Sequence, residues 1–203
     1  MSKRVYISAD YSQDHGDRDV VEVLNKWGSD NWHIVDFVDM ARVVSGSVSS
    51  NPDCRSCDLK EEFNRQINAS SAVIFVVGDK TASRTAGSVC HRSIYKQENC
   101  TCTPYKHNSG GTKQCKMFFG TSTNTRYDID SINNYSYLRH EFEQAKRRGK
   151  TIIIVYNSLY SQPNWLPSYM KGYESHAFPF WKRDWWGDRV GNYAAIKNAL
   201  GYE

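Results

Sequence analysis

The pattern of apolar and polar positions divides most of the chain into alternating strands and helices. Apolar or β-branched runs with little alternation predict buried strands, and they occur at residues 4–9, 33–38, 72–78 and 151–156. Apolar residues recurring every three or four positions predict the intervening helices. One helix is expected at residues 20–27, with Asp17 or Asp19 as its cap, and another begins at the capping box that starts with Asp58.

Residues 137–157 carry the clearest unit of this pattern, a helix followed by a glycine and a strand. Leu138, Phe142 and Ala145 form one apolar stripe. Ser136 is placed to cap the start of the helix. Gly149 lies just after the helix, where a residue with left-handed backbone angles commonly ends a helix. Glu141 lies close to the apolar stripe. It is therefore either a surface partner of a nearby Lys or Arg, or a working carboxylate at the edge of a pocket.

The regular pattern stops between residues 81 and 136. This stretch is polar and contains four of the six cysteines. A structureless loop of that length is uncommon within a compact domain, so we expect an insertion with its own small structure. A β-hairpin around Gly110-Gly111, with a strand at 116–119, is the simplest candidate. Beyond residue 160 we expect a short helical piece at 163–173, an edge strand at 177–181 and a terminal helix at 189–200.

This order of elements predicts an α/β fold over a single domain, residues 1–203, with the insertion at about 81–136. Alternating strands and helices form a mainly parallel sheet with helices on both faces, a three-layer sandwich. Five strands suggest the flavodoxin-like order 2-1-3-4-5. Ligands of such sheets bind at the carboxyl ends of the strands where the strand order reverses. The loops at 10–14 and 78–81 are therefore expected to meet in one crevice.

Composition narrows the function classes only moderately. The net charge of +4 and the pI of about 8.7 favour anionic ligands mildly, but they are not those of a dedicated nucleic-acid binder. No apolar run approaches the length of a transmembrane helix, and the first residues lead directly into a strand without room for a signal peptide. We therefore expect a cytoplasmic protein, with no membrane partner and with mostly reduced cysteines.

Three further patterns have a functional and a structural interpretation. The cysteines at 54, 57, 90, 100, 102 and 115, with His91 and His107 nearby, have spacings that fit no standard zinc motif. We expect no metal there; structural zinc, a disulfide in an oxidised sample and plain thiols remain alternatives. Residues 178–189 interleave aromatic rings with Arg and Lys, a pattern seen in nucleic-acid binding, although packing under the terminal helix is the favoured interpretation. The glycine-rich phosphate loops of Rossmann dehydrogenases and P-loop NTPases are absent.

The order RVYISADYSQD, then DLKEEFNRQINASSAVIFVVG, then YLRHEFEQAKRRGKTIIIVYN resembles a TIR domain. More narrowly, it is similar to the TIR-like proteins of the bacterial Thoeris anti-phage system. TIR domains carry Trp-x-x-x-Glu at the start of the helix before the fourth strand. Here Tyr137 stands in place of the Trp and Glu141 matches the glutamate, with Ala145 and Gly149-Lys150 following as in the family. The resemblance covers roughly residues 3–80 and 136–157, and the insertion has no counterpart in it.

The resemblance implies that NAD is the substrate, with Glu141 cleaving its nicotinamide–ribose bond. A carboxylate beside the oxocarbenium-like ribose would supply opposite charge or a transient covalent partner. Tyr11 or Tyr137 would stack on a ring of the substrate. Hydroxyls and backbone N–H groups at Ser8, Ser12 and residues 78–81 would hold ribose or phosphate oxygens. Asp10 and Asp79 are further candidates at the strand ends, against the alternative that both are ordinary turn residues.

The resemblance also implies a product that acts on a downstream effector in anti-phage defence, and a homo-oligomer is compatible with it. Hydrolysis, cyclisation and transfer to another acceptor remain open. Two other function classes also remain. One is a non-catalytic TIR-like adaptor that works by self-association. The other is a nucleoside deoxyribosyltransferase-like enzyme, which shares the sheet topology and uses a glutamate at a sugar C1.

Overall fold

The computed structural model of this chain describes residues 3–10, 16–29, 35–39, 52–84, 105–108, 111–114 and 136–202. Helices in these ranges are α1 (Arg18–Ser29), α2 (Pro52–Ala69), α3 (Tyr137–Arg147) and α4 (Tyr193–Ala199). Strands are β1 (Lys3–Ser8), β2 (Val35–Asp39), β3 (Ala72–Val77), β4 (Tyr105–Asn108), β5 (Gly111–Gln114), β6 (Thr151–Tyr156), β7 (Phe178–Pro179), β8 (Trp181–Arg183) and β9 (Arg189–Gly191). Short 3₁₀ turns cover Thr81–Ser83, Pro163–Trp165, Ser168–Met170 and Glu174–His176.

The central sheet confirms the predicted fold class. Its five strands are all parallel and lie in the order β2-β1-β3-β6-β7, which is the expected 2-1-3-4-5 order. The strand order reverses between β1 and β3, where Val5 is paired with Ala72 and Ser8 with Phe75. The carboxyl ends of β1 and β3 therefore form the edge at which this topology favours a ligand.

Two apolar layers cover the faces of the sheet, because successive strand residues point to opposite sides. Val5 and Ile7 of β1 face the layer formed with α1 and α4, and Tyr6 faces the layer formed with α2 and α3. All six residues of β3 are buried, as expected for a strand covered on both faces. Alternate residues of a strand are thus assigned to one layer or the other. The same alternation determines toward which face the polar side chains at the strand ends point.

The helix–glycine–strand unit at 136–156 folds as the sequence predicts. Ser136 has extended backbone angles and its hydroxyl accepts the N–H of Arg139 at 3.2 Å, which caps α3. Gly149 has a φ of 60°, a left-handed value that most residues with a side chain avoid. The turn directs the chain into β6, which pairs with β3 over its whole length.

Two element boundaries differ from the prediction. Helix α2 begins at Pro52, six residues before the expected cap, so Asp58 lies inside the helix. Proline is well suited to the first turn of a helix because it has no N–H to leave unpaired. The terminal helix begins at Tyr193 rather than at 189, since Arg189–Gly191 pairs with β8 as strand β9. Asn192 caps that helix, its side chain accepting the N–H of Ala195.

The insertion contains the expected hairpin close to its predicted place. Strands β4 and β5 are antiparallel, with Asn108 paired with Gly111. The strand predicted at 116–119 lies outside the described residues. Within the ranges given above, no helix combines the length and the apolar character needed to cross a membrane.

Candidate active site

Glu141 is a buried carboxylate beside the carboxyl end of β1. Its side chain is 5% exposed, and both of its oxygens accept hydrogen bonds from hydroxyl groups. The Tyr6 hydroxyl donates to Oε1 at 2.7 Å, and the Ser8 hydroxyl donates to Oε2. Of the two interpretations open from the sequence, a surface ion-pair partner is therefore excluded. The carboxylate belongs to the interior of the protein, beside the end of β1.

The local sequence explains how these three groups meet. Glu141 precedes Phe142, which is fully buried against Phe75 of β3 at a ring-centroid distance of 5.4 Å. This packing fixes the rotation of α3 and turns Glu141 toward the sheet. Tyr6 and Ser8 are two positions apart in β1, so both point to the same face. One strand therefore supplies both hydroxyl groups to one carboxylate.

Burial controls the protonation of Glu141. Removal from water raises the pKa of its carboxyl from 4.5 to about 7, while the hydrogen bonds from Ser8 and Tyr6 act in the opposite direction. The group is therefore divided between its charged and neutral forms near neutral pH. A carboxyl in this condition can act either as an anion or as a proton donor, which is characteristic of functional carboxylates.

The other predicted residues at this edge have more varied positions. Asp10 accepts a salt bridge from the Arg84 guanidinium, with Nε and Oδ2 at 2.6 Å. The N–H of Gly78 donates to the Thr81 hydroxyl at 2.8 Å, so it serves the local turn in this conformation. Asp79 is exposed at the same turn. The sheet thus brings Ser8, Asp10 and Gly78 to one edge, but the hydroxyl of Ser8 and the N–H of Gly78 already have protein acceptors.

Tyr137 lies one helical turn before Glu141 and packs against α2. Its ring meets Phe63 edge to face, with centroids 5.5 Å apart. His140, on the next part of the same helix, bonds to Asn64 of α2 through Nε2 at 3.0 Å. These contacts join the two helices on this face of the sheet. Tyr11 and Ser12, predicted to contact the substrate, lie outside the described residues.

A second polar cluster lies on the opposite face of the same edge, around Asn157. The Asn157 side-chain nitrogen donates to Oδ1 of Asp17 at 3.0 Å and to Oδ1 of Asp19 at 2.9 Å. Its side-chain oxygen accepts from Trp181 Nε1 at 2.6 Å and from Arg189 Nη2 at 3.1 Å. An amide can make four such bonds, so Asn157 is fully occupied. It joins the start of α1, the end of β6 and the β8–β9 hairpin.

Asp17 is the second buried carboxyl group at this edge. Its side chain is 2% exposed, and burial raises its pKa from 3.8 to about 7. The Asn157 amide acts against that shift, and the charges of Asp10 and Asp19 add to it. Asp17 also lies directly beside Gly78, where a β-carbon would stand 2.7 Å from Oδ1. Gly78 is therefore needed for close packing against a carboxyl group.

Three members of these clusters, Tyr6, Asp17 and Asn157, were not assigned to a site from the sequence. Tyr6 carries a usable signal, because its strand places it on the face of Ser8. Asp17 was expected only as a helix cap. It does occupy that position, since its carbonyl accepts the N–H of Val21 at 3.3 Å, but its carboxyl oxygen bonds to Asn157 instead. Nothing local in the sequence indicates that Asn157 would gather four partners.

Among the described residues, no three His, Cys, Asp or Glu side chains gather where they could hold a metal ion. The six cysteine side chains, which carried the zinc alternative, lie outside that description. Beside the end of β1, at the topological reversal of the sheet, lies the Glu141 carboxylate, which is buried and accepts hydrogen bonds from two hydroxyl groups. That arrangement can stabilise a positive charge developing on a bound molecule.

No protein-family model matches this chain, and no curated protein matches its sequence.

Proposed function

We propose that this chain is a TIR-like enzyme that cleaves the nicotinamide–ribose bond of NAD. The observation that carries the proposal is the position of Glu141: a buried carboxylate bonded to Tyr6 and Ser8 beside the carboxyl end of β1. The parallel sheet in the order 2-1-3-4-5 supports it, because ligands of such sheets bind at the carboxyl ends of the strands where the order reverses, and Glu141 lies beside the end of β1.

The chemistry needs little beyond this carboxylate. As the bond from C1 of the ribose to nicotinamide breaks, positive charge develops on the sugar, and an adjacent carboxylate stabilises it through opposite charge or a transient covalent bond. Nicotinamide leaves as a neutral molecule and needs no general acid. In this scheme Tyr6 and Ser8 orient the Glu141 carboxylate and hold its anionic form against the cost of burial. They are positioning residues for Glu141.

The second half of the reaction determines the product. If water reaches the ribose cation, the enzyme hydrolyses NAD; if water is excluded, a nucleophile of the substrate or another acceptor captures the ADP-ribosyl group. The resemblance to Thoeris proteins favours an ADP-ribose-derived signal nucleotide. In this proposal the product acts on a downstream effector in the cytoplasm during anti-phage defence, and neither a membrane nor a nucleic acid takes part.

The first experiment measures NAD turnover by three full-length proteins and identifies the products by mass spectrometry. They are the wild type, Glu141→Gln and a matched control, Glu143→Gln, which alters the same residue type two positions along α3. We expect nicotinamide release by the wild type and the control, and a loss of at least about a thousand-fold in Glu141→Gln, since this glutamate is the only group assigned to the charge on the sugar.

Two other results would redirect the assignment. Release of free base from nucleosides but not nicotinamide from NAD would indicate a deoxyribosyltransferase-like enzyme that uses the same carboxylate. Absence of both activities in the concentrated protein and in infected-cell lysate would contradict the enzyme proposal. The adaptor interpretation would then apply, and its signature is a biological function that survives Glu141→Gln.

A further inference from the structure

The most unusual surface of the described residues is the tip of the β8–β9 hairpin. Trp185 and Trp186 are 92% and 84% exposed. Tryptophan carries a large apolar area that proteins normally cover at least in part. An exposed pair of such rings usually indicates an interaction surface. The catalytic proposal makes no use of either ring.

The turn holds the backbone of both tryptophans in a defined conformation. The Asp184 carboxylate accepts the N–H groups of Trp186 at 3.0 Å and Asp188 at 2.8 Å. Gly187 has a φ of 88°, and its carbonyl accepts the Arg183 guanidinium at 2.7 Å. Because the backbone is already ordered, binding through the two rings requires little further ordering of the chain, which lowers the entropic cost of association.

A groove that suits such rings lies on the same hairpin. It measures about 340 Å³ and is lined by Leu159, Tyr160, Pro179, Trp181, Lys182 and Arg183, among others. Tyr160 is 70% exposed at its wall, and Lys182 and Arg183 are exposed beside it. Cationic side chains such as these attract the face of a tryptophan ring. The hairpin therefore carries both a projecting tryptophan pair and a groove suited to receive one.

We propose that this surface, the hairpin tip together with the adjacent groove, binds a second copy of the chain. In a two-fold dimer each patch contacts its own copy, so one surface must supply both halves of the contact. The charges satisfy the same requirement. Lys182 is exposed beside the groove and Asp188 is exposed at the hairpin tip, so a cation of one copy can face an anion of the other. A nucleic acid or an anionic membrane would instead favour a patch of one sign.

The expected size of the contact supports a dimer of modest affinity. Four tryptophan rings, two from each copy, bury about 600–1,000 Å² in total. The groove walls that cover them lose a similar area, so the interface reaches the range of about 1,200–2,000 Å² typical of specific complexes. Interfaces near the lower end of that range are commonly transient, so we expect a dissociation constant on the order of micromolar.

The test is sedimentation velocity of the full-length protein over a concentration series. We expect a monomer–dimer equilibrium for the wild type and a dissociation constant at least about ten-fold larger for Trp185→Ser/Trp186→Ser, since buried tryptophans are the commonest sites of large binding loss. Arg147→Ser, an exposed position at the end of α3 on the other face of the sheet, should leave the equilibrium unchanged. Circular dichroism verifies that each variant is folded.

A second measurement distinguishes insertion into the groove from ring-on-ring contact. Tyr160→Ser alters the groove wall and leaves both tryptophans in place, so it should weaken dimerisation as well. A wild type that remains monomeric, or a dimer unaffected by the double tryptophan variant, would overturn the proposal. So would a monomer that co-sediments with phosphatidylcholine–phosphatidylserine vesicles through its tryptophans, because that result would assign the surface to a membrane.

Discussion

Glu141 of α3 accepts a hydrogen bond from Ser8 of β1, a residue 133 positions earlier in the chain. This contact joins a helix to the strand at which the sheet reverses its order. It also accounts for the short polar ending of β1, since the strand places a hydroxyl group where the helix presents a carboxylate. Four consequences of this site and of its neighbours can be measured.

The first prediction concerns the pH dependence of turnover. The proposed reaction needs the Glu141 anion, and the pKa of this group in the free protein is about 7. We therefore expect kcat/KM for NAD to fall about ten-fold per pH unit below that value and to level off above it. A steady-state pH profile measures this acid limb, the fall of kcat/KM at low pH. An acid limb near 4.5, the ordinary value for a glutamate, would contradict the effect of burial.

The second prediction concerns the two hydroxyl groups. Both hydrogen bonds lower the pKa of Glu141, so Tyr6→Phe and Ser8→Ala should each move the acid limb to higher pH. Tyr156→Phe is the matched control, because Tyr156 is buried in the same apolar layer as Tyr6. The pH profile of kcat/KM, measured for all three variants, shows whether the acid limb moves only when a partner of Glu141 is removed. An equal displacement in the control would indicate a general effect of removing a phenol.

The third prediction concerns stability. Between pH 4.5 and about 7 the folded protein keeps a proton on Glu141 that the unfolded chain has lost, so the contribution of Glu141 to the free energy of unfolding decreases as pH rises through this window. The full contribution is on the order of a few kcal/mol. Glu141→Gln removes the ionisation and should therefore be more stable than the wild type at pH 8, by roughly 1–3 kcal/mol.

Urea denaturation at pH 8 and at pH 4.5 tests this difference. The advantage of Glu141→Gln should become small at the lower pH, where the wild-type carboxyl is neutral in the folded state. A variant less stable than the wild type at both values would show that the hydrogen bonds from Tyr6 and Ser8 outweigh the cost of burying the charge. Glu143→Gln, on the same helix, controls for a general effect of removing a negative charge from α3.

The fourth prediction concerns Gly78. A β-carbon at this position would lie 2.7 Å from Oδ1 of Asp17, and that oxygen is held by Asn157. Gly78→Ala should therefore lower the free energy of unfolding by about 1–3 kcal/mol. Gly149→Ala is a useful comparison. It meets nothing within 4 Å, so its cost, about 1 kcal/mol, comes from the left-handed backbone alone.

A double-mutant cycle identifies the cause of the Gly78 effect. Asp17→Ala removes the carboxyl group that an alanine side chain at position 78 would meet, so the two substitutions should cost less together than the sum of their separate costs. Chemical denaturation of the four proteins supplies the coupling energy. Strict additivity would place the effect of Gly78→Ala in the backbone of the turn.

Much of the fold could be predicted because it depends on local patterns. The continuous apolar run of β3, the stripe of α3 and the cap at Ser136 each have one structural interpretation, and together they establish the alternating order that yields the sheet. The residues at which helices and strands begin and end were less predictable. Strand β9 exists because residues 189–191 pair with β8, and the apolar periodicity of the following helix conceals that pairing.

The site was predictable only in part, for a different reason. Glu141 stands out because a charged residue lies beside an apolar stripe. Tyr6 does not, because a tyrosine within a buried strand resembles any other core aromatic residue. Asn157 and Asp17 are 140 positions apart, and no short segment records that they meet. A resemblance could suggest the glutamate, but the hydrogen-bonded groups around it follow from the three-dimensional arrangement.

Both ends of the insertion are anchored near Glu141, and this determines what a change in its length would cost. Arg84 is held by Asp10 at one end of the insertion, and Ser136 caps the helix of Glu141 at the other. Lengthening a loop between fixed ends costs only about 0.6 kcal/mol for each doubling. The segment between these anchors can therefore be lengthened at little cost in loop-closure entropy. A change in the length of the insertion would therefore leave the Glu141 carboxylate in its place.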